Sequence, residues 1–445
     1  MPTRRSFILG GTVIAAAAVA ASKPADRGGP YSEYFARLNR TLRTHGVDRP
    51  VLVIDLDRLD RNIDRVVRSV AVAPAKTYRV VVKSVPSPAL VDYIATRANT
   101  RSLMVFHRPF LQAMARLRPD SDILLGKPMP IAAVATFYRE HTGPFDPGRQ
   151  LQWLIDSDAR LAQYLEFAKA QNQRLRVNLE LDVGLRRGGF GDAASLHAPL
   201  QTIHDHRQHL EFAGYMGYDA HLMGLPGFIE AREKPKVRAR YQAAVDVLQS
   251  RFPSLLHDRL TFNGAGSPTF RHYEGEALVN DLSAGTCLMK PTHYDLPVLA
   301  DFEASSFIAT PVLKRLQGGR IPTLEPFAPL IRGWNPNEAQ IYFGYSGNWL
   351  AENESPPGLS PHWAYVSSNQ QGYSASSSVD IDVDDFIFLR PMQSEAVLLQ
   401  FGDLVAVRGQ QIEARWPMLT VGLLLTPIPY PLNPTEAASR CRESA

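Results

Sequence analysis

A series of short apolar runs, separated by segments of helical period, fills the first two thirds of the chain and restricts it to a parallel α/β architecture. The first run, residues 50–56, is bounded by Pro and Asp, and the next is RVVVK at 79–83. Further runs follow at 102–106, 122–125, 152–155, 177–181, 212–216 and 260–262. Between the first two, Leu59, Ile63, Val66, Val67 and Val70 recur at helical spacing among Arg and Asp, which predicts a helix over 59–72. Repeated strand and helix units of this length form a parallel sheet, either open or closed as a barrel. From about residue 302 the texture changes. FIATPVLKRL, AQIYFGYSG, FIFLRPM, VLLQFGDLVAVRG and QQIEARWPML read as short strands between Gly, Pro and polar turns, and predict a mostly β second domain. The stretch 347–378, rich in Ser, Asn, Pro and Gly, reads as a surface loop with little regular structure.

With 445 residues, 45% of them hydrophobic and 21% charged, the chain can bury a large core. Its net charge of +4 is small for this length and partly belongs to an Arg-bearing leader, so no nucleic-acid partner is expected. Cys287 and Cys441 are its two cysteines, too few for a disulfide framework or a Cys metal cluster. The opening MPTRRSFILGGTVIAAAAVAASKP joins adjacent Arg4 and Arg5 to an apolar run over 7–21 and small residues near Ala20. It resembles a twin-arginine signal over residues 1–24, and the run is shorter than the roughly 20 residues that span a bilayer. Removal of this leader after passage through the twin-arginine export machinery is expected, with the folded protein delivered to the periplasm; a retained membrane anchor is the alternative.

The chemistry-bearing candidates sit after strands, at the rim from which barrel enzymes draw catalytic groups. Lys83 ends RVVVK; taken alone it is a solvated strand-end lysine, whereas partial burial beside a cation such as Arg79 would help keep it neutral and nucleophilic. NGAGSPT at 263–269 offers small residues whose backbone N–H groups can surround a phosphate, though an ordinary turn has the same composition. ELDVGLRRGGF runs a strand into Gly184, Arg186 and Arg187, where a guanidinium could face an anionic oxygen or simply be exposed. GYMGYDAHL places Tyr218, Asp219 and His221 directly after another strand.

Taken in order, VLVIDLDRLDRNI, RVVVKSVPSPALVDYI, ELDVGLRRGGF, GYMGYDAH, NGAGSPT, LSAGT and DLVAVRGQQIEARWP resemble the D-threonine aldolase and D-serine dehydratase family, relatives of alanine racemase with fold type III. The resemblance covers most of residues 51–417. It implies a (β/α)8 TIM-like barrel over 48–300 that binds pyridoxal 5'-phosphate, and a mostly β C-terminal domain over 301–430 packing with residues 30–47. It further implies that Lys83 carries the cofactor as a Schiff base, that Arg79 and Arg187 sit beside it, and that Tyr218 approaches the ring nitrogen. Gly264, Ala265, Gly266 and Ser267, with Gly285 and Thr286, would hold the phosphate.

Several positions depart from the family. Val81 and Val85 stand where histidines are common, and Cys287 where an aromatic is. In RPMQSEA, Gln393 and Glu395 occupy the places of a divalent-metal pair. Glutamine is a poor zinc ligand, so loss of the metal is expected, and Glu395 becomes a candidate base for a substrate β-hydroxyl. The activity implied is a lyase acting on a small D-β-hydroxy amino acid, with Lys83, Tyr218, His221 and Glu395 as catalytic candidates. The alternatives are an amino-acid racemase or epimerase, with Tyr218 or His221 as second base, and a non-catalytic exported binding protein for the cofactor or an amino acid. The family also implies a homodimer.

Overall fold

The computed structural model describes residues 23–73, 75–318, 323 and 325–419. Arg4, Arg5, the apolar run of the leader and Cys441 lie outside the described residues. The described residues divide into two units, one built mainly of Ile54–Ser305 and Gln393–Ala406, the other mainly of Ser306–Met392 and Val407–Glu413 with the residues preceding Ile54. Among the described residues no helix is long and apolar enough to cross a membrane.

The first unit is a closed parallel barrel. After β1 (Val51–Asp55), its strands are β2 (Thr77–Val81), β3 (Ser102–Val105), β4 (Asp122–Leu125), β5 (Leu151–Ile155), β6 (Leu175–Leu181), β7 (Leu210–Gly217), β8 (Thr261–Gly264) and β9 (Asp281–Ala284), paired in chain order with β9 returning to β2. Nearly every strand residue is buried, as both faces of a helix-covered barrel strand must be. The crossover helices include Pro88–Arg97, Arg108–Leu117, Ile131–Glu140, Asp158–Ala170 and Gly227–Arg251. Helix Leu56–Val70 begins where the Asp55 carboxylate accepts the Arg58 N–H at 2.9 Å, and it buries Leu59, Ile63, Val66 and Val70 as their spacing requires. In β7, Gly214 follows a register shift opposite Asn178, with φ +134°; a Cβ there would lie 1.9 Å from the Thr261 carbonyl oxygen.

Two expectations from sequence change here. Residues 50–56 supply β1, which joins the sheet of the other unit, and the barrel is instead closed by β9 from within the LSAGT motif. A short buried apolar run carries no information about which sheet it joins. The stretch 347–378 holds β12 (Ala351–Ser355), β13 (Ser360–Pro361) and β14 (Gln371–Ala375), and β14 is fully buried. Its residues, QGYSA, lack the apolar alternation that marks a strand, and its backbone pairing with neighbours supplies the order instead.

The second unit is built on a long strand, β10 (Ser306–Gln317), paired antiparallel with β11 (Gln340–Gly344) and β15 (Phe386–Pro391). β14 pairs with β11 and β13, and β12 with β15. Residues 407–413, from the β16 (Asp403–Arg408) and β17 (Gln411–Pro417) hairpin, also belong to it. Helix Glu33–Thr44 packs here through Phe35, whose ring lies 5.2 Å from that of Phe307 and 5.0 Å from that of Phe388. The helix is further fixed by Asn39, which donates to Asp385 at 2.7 Å.

A charged layer crosses the N-terminal end of the barrel. Arg79, 1% exposed, donates to both carboxylate oxygens of Asp281 at 2.8 and 2.9 Å and to Asp122 at 2.8 Å. Such ions are costly to desolvate, and the geometry is acceptable because each guanidinium nitrogen finds an acceptor. Asn263 continues the network by donating to Asp281 and, at 2.8 Å, to Ser283.

Candidate active site

At the C-terminal end of the barrel, β2 stops at Val81 and a single turn of 3-10 helix, Val82–Ser84, turns the chain so that Lys83 reaches a cavity rather than continuing the strand. Its wall includes Lys83, Phe106, Arg187, Tyr218, Gly266 and Tyr294. The Lys83 amine lies 3.2 Å from Glu395 Oε1 and 4.9 Å from the centre of the Phe106 ring. The other Glu395 oxygen accepts the Ser394 hydroxyl at 2.9 Å.

The neighbouring strands β9 and β8 supply a polar cradle. β8 ends at Gly264, and Ala265 then takes φ +70°, in the left-handed region that L residues avoid. Gly266 lies against Tyr218, so that a Cβ on it would come within 2.6 Å of the ring. Ser267 Oγ accepts the N–H groups of Gly285 at 3.1 Å and Cys287 at 3.0 Å, which binds this loop to the one after β9. The hydroxyls of Ser84 and Thr286 are 2.8 Å apart.

Tyr218 and Arg187 form the remaining wall. The guanidinium carbon of Arg187 is 5.0 Å from the Tyr218 ring centre, a cation–π contact, and the same guanidinium lies 3.5 Å from Glu180. Burial raises the Tyr218 phenol above its ordinary pKa, with Arg187 opposing and Asp219 and Glu395 adding to the rise, so its proton is retained at neutral pH. Burial likewise raises Tyr294, and it pushes the Cys287 thiol up to about 12, which makes that cysteine an inert part of the core.

Lys83, Arg187, Tyr218, Ala265, Gly266, Ser267, Gly285 and Thr286 therefore meet at one cavity, with Glu395 on the amine. Gly264 ends β8 without reaching the wall, and His221 is also absent from it; both His221 ring nitrogens are buried beside Gly184 without a hydrogen-bond partner among the described residues. Arg79, expected beside the lysine, is instead committed to Asp281 and Asp122 in the charged layer, because it lies four residues before Lys83, within β2, and its long side chain turns to carboxylates at the starts of β9 and β4. Gln393 lies 3.5 Å from His293, and among the described residues no group of three or more His, Cys, Asp or Glu is gathered as a metal site. Ser84, Phe106, Ser283 and Tyr294 are wall residues that sequence reasoning missed. Ser84 and Ser283 lie inside the RVVVKSVPSPALVDYI and LSAGT motifs and Phe106 ends the 102–106 run, whereas Tyr294 follows β9 at a distance that no local pattern marks.

The described fold is similar to a D-threonine aldolase from Filomicrobium marinum at TM-score 0.65 and 17% identity, covering 85% of this chain and 96% of that one. It is similar to the D-threo-3-hydroxyaspartate dehydratase of Delftia sp. HT23 at TM-score 0.62 and 17% identity, covering 84% and 98%. An alanine racemase from Bacillus anthracis matches at TM-score 0.63 and 13% identity, covering 83% and 97%. At these identities the likeness is one of fold. No curated protein matches the sequence. The family model for the alanine racemase N-terminal domain matches residues 54–292, more than half of the chain and the whole run of barrel strands, and the protein belongs to that family.

Proposed function

We propose that this protein is a pyridoxal 5'-phosphate enzyme of fold type III and that it acts as a lyase on a small D-β-hydroxy amino acid. The observation that carries the reading is the Lys83 amine, 39% exposed, in the same cavity as the 265–267 loop and the Tyr218 ring. These residues fit the cofactor. An amine is available for a carbonyl carbon, small residues and the Ser267 and Thr286 hydroxyls suit a phosphate, and a flat aromatic wall suits a pyridine ring. When bound, the cofactor would supply an electron sink for charge left on Cα.

The chain's own groups would do the rest. Lys83 would hold the cofactor's carbonyl carbon through Nζ, and its amine, when free, would move protons at Cα. Glu395 holds a proton acceptor within 3.2 Å of that nitrogen, and supports a role at a substrate hydroxyl or in returning Lys83 to its working protonation state. Tyr218, its proton retained, orients rather than deprotonates, and Arg187 keeps the ring in place from behind. A dimer of this chain and export of the mature protein to the periplasm through its twin-arginine leader are part of the same proposal.

Racemisation is the second reading, favoured by the fold shared with solved alanine racemases. It needs a base on the face of Cα opposite Lys83; Tyr218 is the candidate on the wall, and it could serve only if the bound cofactor lowered the phenol that burial raises.

The test is reduction with borohydride after addition of pyridoxal 5'-phosphate, followed by peptide mass spectrometry and product analysis on D- and L-amino acids. A reduced adduct on Lys83, absent in Lys83→Ala, with aldehyde or keto-acid products from D-β-hydroxy substrates, is expected. Inverted amino acid as the product would select racemisation. No adduct at any cofactor concentration overturns the assignment.

A further inference from the structure

Behind the cavity wall lies a carboxyl group that the proposed reaction does not use. Asp219 follows Tyr218 directly and is 1% exposed. Its two oxygens accept hydroxyl groups: Thr269 at 2.6 Å on Oδ1 and Tyr273 at 2.8 Å on Oδ2. A buried carboxyl is costly unless its hydrogen bonds are satisfied, and burial raises its pKa despite those two donors.

The arrangement has a consequence for the neighbouring loop. Because the Thr269 hydroxyl gives its single proton to Asp219, its lone pairs are left for other donors, and the Gly266 N–H donates to it at 3.1 Å. The Thr269 and Phe270 N–H groups both return to the Gly266 carbonyl at 3.0 Å, closing the turn. Gly266 is thus tied at both its backbone polar groups, and it is the residue whose Cα rests on the Tyr218 ring. Asp219 also adjoins Tyr218 in sequence, so one carboxyl fixes both sides of that contact. Neither Asp219 nor Thr269 lies on the wall of the Lys83 cavity; Asp219 borders a separate cavity with His272 and Tyr273.

The geometry points to Asp219 as a positioning residue that, through Thr269, holds the 265–267 loop in the shape that receives the phosphate of pyridoxal 5'-phosphate. The inference rests on the proposed cofactor reading and adds to it a group that touches neither the cofactor nor the substrate. A side chain acting through the phosphate loop affects ligands that carry a phosphate and spares those that lack it. A side chain with only a structural role affects both alike, or neither.

The experiment compares the equilibrium binding of pyridoxal 5'-phosphate and of pyridoxal to the full-length apoprotein, in the wild type and in Thr269→Val, Asp219→Asn and Thr269→Ser, with thermal unfolding of each. The expected result is a loss of roughly tenfold or more in affinity for pyridoxal 5'-phosphate in Thr269→Val and Asp219→Asn, with pyridoxal binding unchanged and Thr269→Ser restored to wild-type behaviour. Equal losses for the two ligands, or no loss in a folded variant, overturn the inference while leaving the cofactor reading intact. A wild type that binds neither ligand overturns the cofactor reading and this inference with it. Should Asp219→Asn not fold, Thr269→Val and Thr269→Ser alone decide, since the carboxyl then stays in place.

Discussion

The amine of Lys83 and the carboxylate of Glu395 lie 3.2 Å apart, although they come from opposite ends of the barrel unit's sequence. Lys83 sits in the turn after β2, and Glu395 in the short helix Ser394–Val397 that begins the returning C-terminal segment of the same unit. Both side chains are about one third exposed, at 39% and 32%, so solvent screens the pair and its worth lies in placing a proton acceptor at the amine rather than in stability.

Glu395→Gln keeps the shape of the side chain and removes the acceptor. Steady-state kinetics on the proposed D-β-hydroxy amino acid should show kcat lowered by about 10² to 10⁴, the usual range for loss of a general acid or base. Borohydride labelling of Lys83 should persist. A kcat close to wild type would reduce Glu395 to a counterion.

Arg79→Met should destabilise the protein by about 3–5 kcal/mol, since removing one partner of a buried ion pair leaves the other uncompensated. Asp281, 5% exposed at its side chain, is that other partner. Urea unfolding measures the loss, and adding Asp281→Asn should recover part of it. A single variant as stable as wild type would show that the charged layer is dispensable.

Glu303 offers a pH test. It accepts hydrogen bonds from Arg61 Nε and Nη2 at 2.8 and 2.7 Å and from Arg65 at 3.2 Å, and these guanidinium groups hold its carboxyl down to about 2. A carboxyl whose pKa is lower folded than unfolded adds stability that is complete above its unfolded pKa, about 4.3. That stability is lost as the pH falls from there toward about 2. The urea midpoint of wild type should therefore fall across this window more steeply than that of Glu303→Gln, and parallel curves would refute the coupling.

Much of the architecture is legible in the order of residues. The helix over Leu56–Val70 follows from its apolar period, and the barrel class from the alternation of strands and helices. The site motifs were legible as well, because Lys83, Tyr218 and the 265–267 loop each follow a strand, and a parallel barrel brings the ends of all its strands to one face. Where sequence reasoning failed, the missing information was long-range. Tyr294 joins the wall from a segment with no local signal, and Arg79 turns from the expected site to two distant carboxylates.

The sequence by itself determined the periods, the strand-ending chemistry and the class of fold, since hydropathy and turn residues act over a few positions of chain. Only the tertiary structure decided that β1 leaves the barrel, that β9 closes it, that Glu395 meets Lys83, and that Asp219 bonds Thr269 behind the 265–267 loop. Each of these is a pairing between segments far apart in the chain, chosen by which buried surfaces and hydrogen-bonding groups satisfy one another once the barrel has closed, and no local pattern encodes that choice.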